Sequence, residues 1–281
     1  MNRRHPRWLS LGLLLGFILL GGCGKPQADD ANRPLIWAAD AEGGEPYIKQ
    51  DASAPGGVVG FEKELADALA RELGRPIQFK QYPFNSLVPG LDRGDFDFAM
   101  NGLEVTPDRA AKIRFSKPYY IYRQQLVVRN DEKRFSNYAE LKQHKDLKVG
   151  TLEDTAAYRM LVRDGFTPKA YEDSATPFTD LEQGRLDAVV QDWPIALYLV
   201  QKKPAANSKL KLAGPPVEPG VYAIAFTTKN EALAQQIDAA LERIMKSGEL
   251  KKILTKWEIW NDEQAALEKG DAAAILKSLK P

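Results

Sequence analysis

The chain is poor in the residues that carry metal and thiol chemistry. Its 281 residues include one cysteine and two histidines. A single cysteine cannot form an internal disulfide, and Cys23, His5 and His144 are too few for a zinc cluster or for a cysteine–histidine nucleophile pair. The sequence therefore predicts no metal site and no cofactor.

An excess of one charge is also missing. The chain has 39 Lys and Arg against 38 Asp and Glu, a net charge of +1. Without a basic stripe to attract phosphates, nucleic acid is not an expected partner. A hydrophobic fraction of 44% and a charged fraction of 27% are typical of a globular protein with a sizeable core. At about 100 to 200 residues per domain, the length predicts one large domain or two small ones.

The apolar stretch near the start is too short to span a membrane. Residues 8–22 carry no charge, but 15 residues fall short of the roughly 20 that a spanning helix needs. Arg3, Arg4 and Arg7 precede this stretch without any acid. A basic start followed by a short apolar run indicates a signal peptide over residues 1–22, and a permanent membrane anchor is the weaker alternative.

The apolar stretch ends at the lone cysteine. The segment LGGC (20–23) resembles the lipobox of bacterial lipoproteins, which implies that Cys23 is lipidated and becomes the first mature residue. The alternative is a signal peptide cut elsewhere, which would leave a free surface thiol. Residues 23–34 are polar and without periodicity, and they indicate a flexible lipidated tether.

From Leu35 onward, short apolar strands alternate with amphipathic helices, which predicts an α/β fold. The predicted strands of the first half cover residues 35–39, 77–80 and 96–100, and its helices cover residues 61–73 and 86–92, with a helix start at TPD (106–108). The second half has predicted strands at 147–150, 186–190 and 222–226 and helices at 155–162, 176–183 and 231–246. Residues 261–281 predict a peripheral helix.

The two halves repeat one plan. LDRGDFDFAMNG (91–102) aligns with LEQGRLDAVVQD (181–192), with Leu, Gly and Asp in register. The repeat predicts two similar lobes and places Gly102 and Asp192 beyond the carboxyl ends of equivalent strands. Open α/β sheets bind ligands at that edge, so we expect a cleft between the lobes.

Five segments in order resemble family 3 extracellular solute-binding proteins, the polar amino-acid receptors of ABC importers. They are GFEKEL (60–65), NGLEVTPDR (101–109), FSKPYY (115–120), LDAVVQD (186–192) and the pair GEL and KW (248–250 and 256–257). The resemblance implies a two-lobed periplasmic-binding-protein type II fold, or Venus flytrap, with hinge crossings near 120–125 and 217–222. Lobe one would comprise residues 35–122 and 221–260, lobe two residues 123–220, and a C-terminal extension residues 261–281.

This resemblance also implies the function. A monomer would capture a polar amino acid between its lobes and deliver it to an ABC-transporter permease, in the periplasm or at the cell surface, held to the membrane by the lipid on Cys23. Two alternatives stay open: an enzyme similar to cyclohexadienyl dehydratases, with Asp40 and Glu104 as its carboxylates, and a ligand-sensing partner of a signalling protein.

One base and one helix start are expected to hold the carboxylate of the solute. Arg109 is the third residue of its predicted helix, where a cation opposes the macrodipole and favours a nearby anion. The resemblance identifies that anion as the ligand α-carboxylate, and the alternative is a solvated surface arginine. Thr155 begins a helix of lobe two and would bind the same carboxylate, or cap its own helix, or do both. Asp154 stands where the family usually has glycine.

The ammonium and the chain of the solute have their own expected contacts. Asp192 and the Gly102 carbonyl match the ammonium site, with capping of the helix that starts at Trp193 as the alternative for Asp192. Tyr47 and Phe84 match aromatic positions that pack against the ligand, although aromatic residues at such positions also serve as core.

Glu104 departs from the family, which usually has Ser or Thr there. It would bond the ammonium, or pair with Arg109 when the site is empty. Asp40 matches an acid that meets basic ligand side chains, with a turn-forming aspartate as the alternative. One arginine against Asp40, Glu104 and Asp192 favours a basic amino acid such as arginine or lysine.

Overall fold

The computed structural model describes Met1 and residues 33–42, 44–202 and 209–278. The predicted signal peptide, Cys23 and most of the predicted tether lie outside this part of the chain. Within it, no helix is long and apolar enough to cross a bilayer.

Strands and helices alternate through most of the described chain. The strands are β1 (Leu35–Ala39), β2 (Lys49–Gln50), β3 (Val58–Val59), β4 (Ile77–Gln81), β5 (Phe98–Ala99), β6 (Arg114–Arg129), β7 (Val149–Leu152), β8 (Lys169–Tyr171), β9 (Ala188–Asp192) and β10 (Leu210–Phe226). The helices are α1 (Phe61–Leu73), α2 (Leu87–Arg93), α3 (Pro107–Ala110), α4 (Tyr138–Leu141), α5 (Ala156–Arg163), α6 (Thr176–Glu182), α7 (Trp193–Leu197), α8 (Glu231–Lys246), α9 (Glu249–Lys256) and α10 (Ala272–Ser278). The 3-10 helices cover Pro55–Gly57, Phe84–Ser86 and Asp262–Lys269, and a π-helical turn covers Tyr198–Lys202.

Eight strands form one mixed sheet in the order β4-β1-β5-β10-β6-β9-β7-β8. On one side β1 pairs in parallel with β4 and β5, and on the other β7 pairs in parallel with β8 and β9. The two outer thirds therefore have the same strand order around the central pair, which confirms the repeat seen in the sequence. Gly102 follows β5 and Asp192 ends β9, so both lie at carboxyl ends of equivalent strands.

The central pair joins the two halves. β6 and β10 are antiparallel strands of 16 and 17 residues, with register shifts that include one between Val217 and Pro219. β10 pairs with β5 at Ala225, whereas β6 pairs with β9 from Gln124 onward. The predicted hinge crossings fall on these two strands, and the lobe boundaries themselves stay a prediction. The sequence did not predict either strand at its full length, because prolines and bulges interrupt the alternation that marks a strand.

Most predicted elements are present with small shifts at their ends. α1 and α8 have the predicted bounds, and Gly74 ends α1 with a left-handed φ of 60°, a conformation that suits glycine. β7 starts and ends two residues later than predicted, and its pairing with β8 extends to Leu152.

The C-terminal region is anchored to the central pair. The side chain of Gln264 accepts a hydrogen bond from Ile121 N at 2.9 Å and donates one to Ile121 O at 2.8 Å. Leu267 and Ile275 are buried in the core. The predicted peripheral helix is therefore a 3-10 turn followed by α10, packed against the sheet.

Candidate functional site

A small cavity lies where β1, β5, β7 and β9 end. Seven of the eight predicted binding residues line it, and their role in binding stays a prediction. The lining comprises Asp40, Tyr47, Phe84, Asn101, Gly102, Glu104, Leu152, Thr155, Glu172, Ser174, Gln191, Asp192 and Ile195. Its free volume of about 30 Å³ is far below the roughly 300 Å³ of a small-ligand pocket, so the cleft is closed around its own side chains.

Apart from Tyr47, the ionisable side chains along the cavity wall are all acids. Four carboxylates line it, those of Asp40, Glu104, Glu172 and Asp192. In the described part of the chain, no lysine, arginine or histidine lines it. A cationic group would find acidic partners and no like charge in this wall.

Arg109, the eighth predicted residue, lies behind Glu104. Its Nη1 forms an ion pair with Glu104 Oε2 and also donates to the Glu104 carbonyl at 3.2 Å, while its Nη2 donates to Asp154 O at 2.9 Å. The guanidinium carbon is 5.6 Å from the centre of the Phe84 ring. With a side chain only 12% exposed, Arg109 is not a solvated surface arginine.

Glu104 bridges Arg109 and the second half of the molecule. Its Oε2 pairs with Arg109, and its Oε1 accepts a hydrogen bond from Ala156 N, the first residue of α5, at 2.8 Å. The side chain is 1% exposed. Of the two arrangements that the sequence left open for Glu104, the structure contains the pairing with Arg109.

Thr155 caps its own helix. Its hydroxyl donates to Leu152 O at 2.8 Å and accepts from Tyr158 N at 3.3 Å. The donor on this side of the cavity is therefore the backbone N–H of Ala156. Asp154 has a φ of 56°, in the left-handed region that favours glycine, so the aspartate adopts the conformation that suits the residue usual in the family.

Asp192 forms no hydrogen bond with a cationic group among the described residues. Its Oδ1 accepts from Gln124 Nε2 at 2.7 Å, and its Oδ2 accepts from the Tyr222 hydroxyl. Burial, followed by the negative charge of Glu104, raises the pKa of Asp192 to about 8. The side chain makes no capping bond to α7, so the helix-cap interpretation of Asp192 is wrong.

Asp40 is held by its own turn and by the end of β4 with the turn that follows it. Its Oδ1 accepts from Gln81 Nε2 at 2.8 Å and from Glu42 N at 3.0 Å, and its Oδ2 accepts from Phe84 N at 3.0 Å. The turn-forming interpretation therefore describes its present contacts, and it also borders the cavity.

Tyr47 and Gly102 form the floor of the cavity. The Tyr47 and Tyr222 hydroxyls are 2.6 Å apart. Gly102 has a φ of 58°, and a Cβ there would lie 3.1 Å from Cε1 of Tyr47. Its N–H donates to Glu62 Oε1 at 2.6 Å, and burial raises the pKa of Glu62 to about 7. Gly102 is thus fixed by both its conformation and its neighbours.

Several residues of the site were not predicted. Gln124 and Tyr222 lie on the two long strands and reach Asp192 by pairing distant in sequence. Gln191 is 1% exposed, and its Nε2 has no hydrogen-bond partner among the described residues. A glutamine at the end of the otherwise apolar run AVVQ (188–191) could have indicated that this strand contributes a polar side chain to the site. Glu172 and Ser174 come from the loop after β8 and carried no signal.

The chain is similar in sequence and in structure to known solute-binding proteins. The model for bacterial extracellular solute-binding proteins, family 3, matches residues 39–259. The chain is 30% identical over 265 residues to a probable histidine-binding protein of Neisseria gonorrhoeae, which covers 92% of this chain and 98% of that protein. A solved ancestral arginine-binding protein bound to arginine is 29% identical, with a TM-score of 0.73 over 81% of this chain and 99% of that one. A solved ancestral amino acid-binding protein, a precursor of cyclohexadienyl dehydratase, is 26% identical, with a TM-score of 0.71 over 80% and 95%.

Proposed function

Because the chain belongs to the bacterial extracellular solute-binding proteins of family 3, we propose that it captures a basic amino acid in this cavity and delivers it to an ABC-transporter permease. The observation that carries the choice of solute is the ring of four carboxylates with no base in the described wall. The relatives named for histidine and arginine support the same class of solute.

The site offers a place for each group of such a solute. Arg109 and the N–H of Ala156 would bind the α-carboxylate, since both already hold a carboxylate. Asp192 and the Gly102 carbonyl would take the α-ammonium. Asp40 and Glu172 would face the cationic side chain, with the rings of Tyr47 and Phe84 along its aliphatic part.

Entry of the solute requires the cleft to open. Among the described residues, the polar contacts that cross it include Ala156 N to Glu104, Arg109 to Asp154 O at 2.9 Å, and Asn85 Nδ2 to Glu153 Oε1 at 3.1 Å. Opening would break these contacts and bend β6 and β10, the strands that join the two halves. The closed form around the solute would then be the form that the permease recognises.

The receptor would act outside the cytoplasm, with residues 1–22 removed and a lipid on Cys23 holding a monomer to the membrane. Mass spectrometry of the mature N-terminal peptide tests this part. A peptide that begins at an acylated Cys23 is expected, and an unmodified cysteine would contradict it.

We propose a receptor and not an enzyme, although one solved relative is a dehydratase precursor. The two acids available for dehydration are already engaged: Glu104 pairs with Arg109, and Asp40 accepts three hydrogen bonds. In this structure both carboxylates act as hydrogen-bond acceptors, which supports a binding role. Turnover of prephenate or arogenate by the purified protein would contradict the proposal.

Calorimetric titration of the unfolded and refolded, ligand-free protein with each common amino acid tests the choice of solute. We expect arginine or lysine to bind most tightly. Asp192→Asn should weaken that binding by about 100-fold, because a buried, charged contact is lost. Tighter binding of glutamate or glutamine would overturn the proposed preference.

A further inference from the structure

Glu104 stands where the proposed binding mode places the solute. Its carboxylate accepts from Arg109 with one oxygen and from Ala156 N with the other. Those two donors come from opposite sides of the cleft, and they are the donors that a solute α-carboxylate would need. The anion position of the cavity is therefore filled by the protein itself.

The main chain at Glu104 is fixed, so the side chain is the part that can leave. Val105 N donates to Val221 O at 3.0 Å, and Ala223 N donates to Leu103 O at 3.2 Å, which pairs this segment with β10 on both sides of Glu104. Arg109 is held independently through the carbonyls of Glu104 and Asp154. A departure of the Glu104 carboxylate would leave the guanidinium in place and open to another anion.

The Glu104 carboxylate can leave Arg109 only if another cation compensates its charge. A buried carboxylate that loses its cation is strongly destabilised unless another cation replaces it. No lysine, arginine or histidine among the described residues lines the cavity, so the replacement must come from the solute. An ordinary zwitterion brings one ammonium, which Asp192 also requires. A basic amino acid brings two cations and can satisfy both acids.

Resting on the proposed receptor function, we propose that Glu104 is an internal competitor for the solute's carboxylate and a specificity-determining residue. On binding, the solute's carboxylate replaces that of Glu104 on Arg109 and Ala156 N, and the displaced carboxylate turns to a cationic group of the solute. The exchange makes neutral amino acids poor solutes and basic ones good solutes. A solute without a carboxylate leaves Glu104 in place.

The test compares arginine with agmatine, its decarboxylated counterpart, by calorimetry on the wild type and on Glu104→Gln. The amide removes the competing charge with little change of shape. The affinity for arginine relative to agmatine should rise at least about tenfold in the variant, since only arginine has to displace Glu104. Glutamine should likewise gain more affinity than arginine. A ratio that stays within twofold of the wild type would overturn the proposal.

Two further variants keep the result interpretable. Glu104→Ser removes any residual amide contact with Arg109 and should change the ratio in the same direction, so an unchanged ratio in both variants counts against the exchange. Glu172→Gln neutralises another acid of the same cavity and should weaken arginine and agmatine alike, with an unchanged ratio. Circular dichroism confirms that each variant is folded.

The outcome also separates this inference from the proposed function. Wild-type protein that binds neither arginine nor lysine would contradict the proposed solute class. The exchange would then be measured with the amino acid that does bind and its decarboxylated amine, with the same expected change of ratio.

Discussion

Glu104 and Asp192 are two buried carboxylates of one cavity, held in opposite ways. Glu104 has a cation, Arg109, and a backbone donor. Asp192 accepts from two neutral groups, the amide of Gln124 and the hydroxyl of Tyr222. The charge of Glu104 is therefore compensated by Arg109. Asp192 has no such partner, and its burial raises its pKa to about 8.

The difference separates two tasks. Glu104 is compensated by Arg109, and in the proposed binding mode the solute displaces it, whereas Asp192 has no cation of its own and would receive one from the solute. The ring stack around Tyr222 limits hydration on the Asp192 side: Tyr122 lies 4.5 Å from it with rings nearly parallel, and Tyr120 lies 5.6 Å away. In the proposed binding mode, a buried carboxyl group would thus compete with the solute at Glu104 and receive its cation at Asp192.

Arg109→Ala should have the largest effect on stability. It leaves Glu104 buried without its cation, so we expect the free energy of unfolding to fall by about 3 kcal/mol. The double variant Arg109→Ala with Glu104→Gln should recover much of that loss, because the stranded charge is gone. Urea denaturation of the ligand-free protein at neutral pH measures both.

Asp192→Asn is the matched variant on the other carboxylate. It has no ion pair to lose, and the asparagine oxygen can still accept from a neighbour, so the cost should be about 1 kcal/mol or less. If the double Arg109 and Glu104 variant loses the sum of the single losses, or if Asp192→Asn is as costly as Arg109→Ala, the contrast between the two acids is wrong.

The raised pKa of Asp192 predicts that solute affinity depends on pH. With a pKa of about 8, Asp192 is mostly protonated at pH 7 in the empty site and must ionise to bind an ammonium. Solute affinity should therefore rise by close to tenfold per pH unit from pH 6 towards pH 8 and then level off. Calorimetry in two buffers with different ionisation enthalpies should show release of nearly one proton per solute at pH 7.

The control is Asp192→Asn, whose weaker binding should be nearly independent of pH in this range. The ligand-free wild type should also lose stability as pH rises. The raised pKa of Asp192 contributes its full stability below the unfolded pKa near 4, and this contribution is lost progressively as the pH rises to the folded pKa of about 8. Glu62, with its pKa raised to about 7, adds to that stability slope, but it contacts Gly102 and Tyr119, not the solute position. A flat affinity profile in the wild type would contradict the assignment to Asp192.

The sequence predicted what depends on local pattern. α1 has an apolar stripe and a glycine at its end, and Thr155 is a typical N-cap, so these elements were found at or near their observed bounds. Gly102 and Asp192 were placed together because their strands occupy equivalent positions in a repeat. Family resemblance then brought Tyr47, Phe84 and Arg109 to the same place.

The rest depends on contacts between distant segments. Gln124 meets Asp192 only because β6 pairs with β9, and Tyr222 meets it from β10. From the sequence, Glu104 could contact either the solute ammonium or Arg109, because its side chain is long enough to reach both. In the structure it pairs with Arg109 and also accepts from Ala156 N across the cleft. No local pattern records such a position.

The smallest predicted effect concerns the ring beside Arg109. Phe84→Leu keeps an apolar side chain but removes the aromatic face 5.6 Å from the guanidinium, a contact that stabilises by about 1 kcal/mol or less. Arginine affinity should fall about three- to fivefold, while Phe79→Leu, which alters a ring packed on Trp37 outside the cavity, should leave it unchanged. Because Phe84 contacts Arg109 and Asp40, while Asp192 is held by Gln124 and Tyr222, the pH dependence set by Asp192 should persist in full in Phe84→Leu. A variant that lost both affinity and pH dependence would show that the two carboxylates are not independent, and the contrast drawn between them would fail.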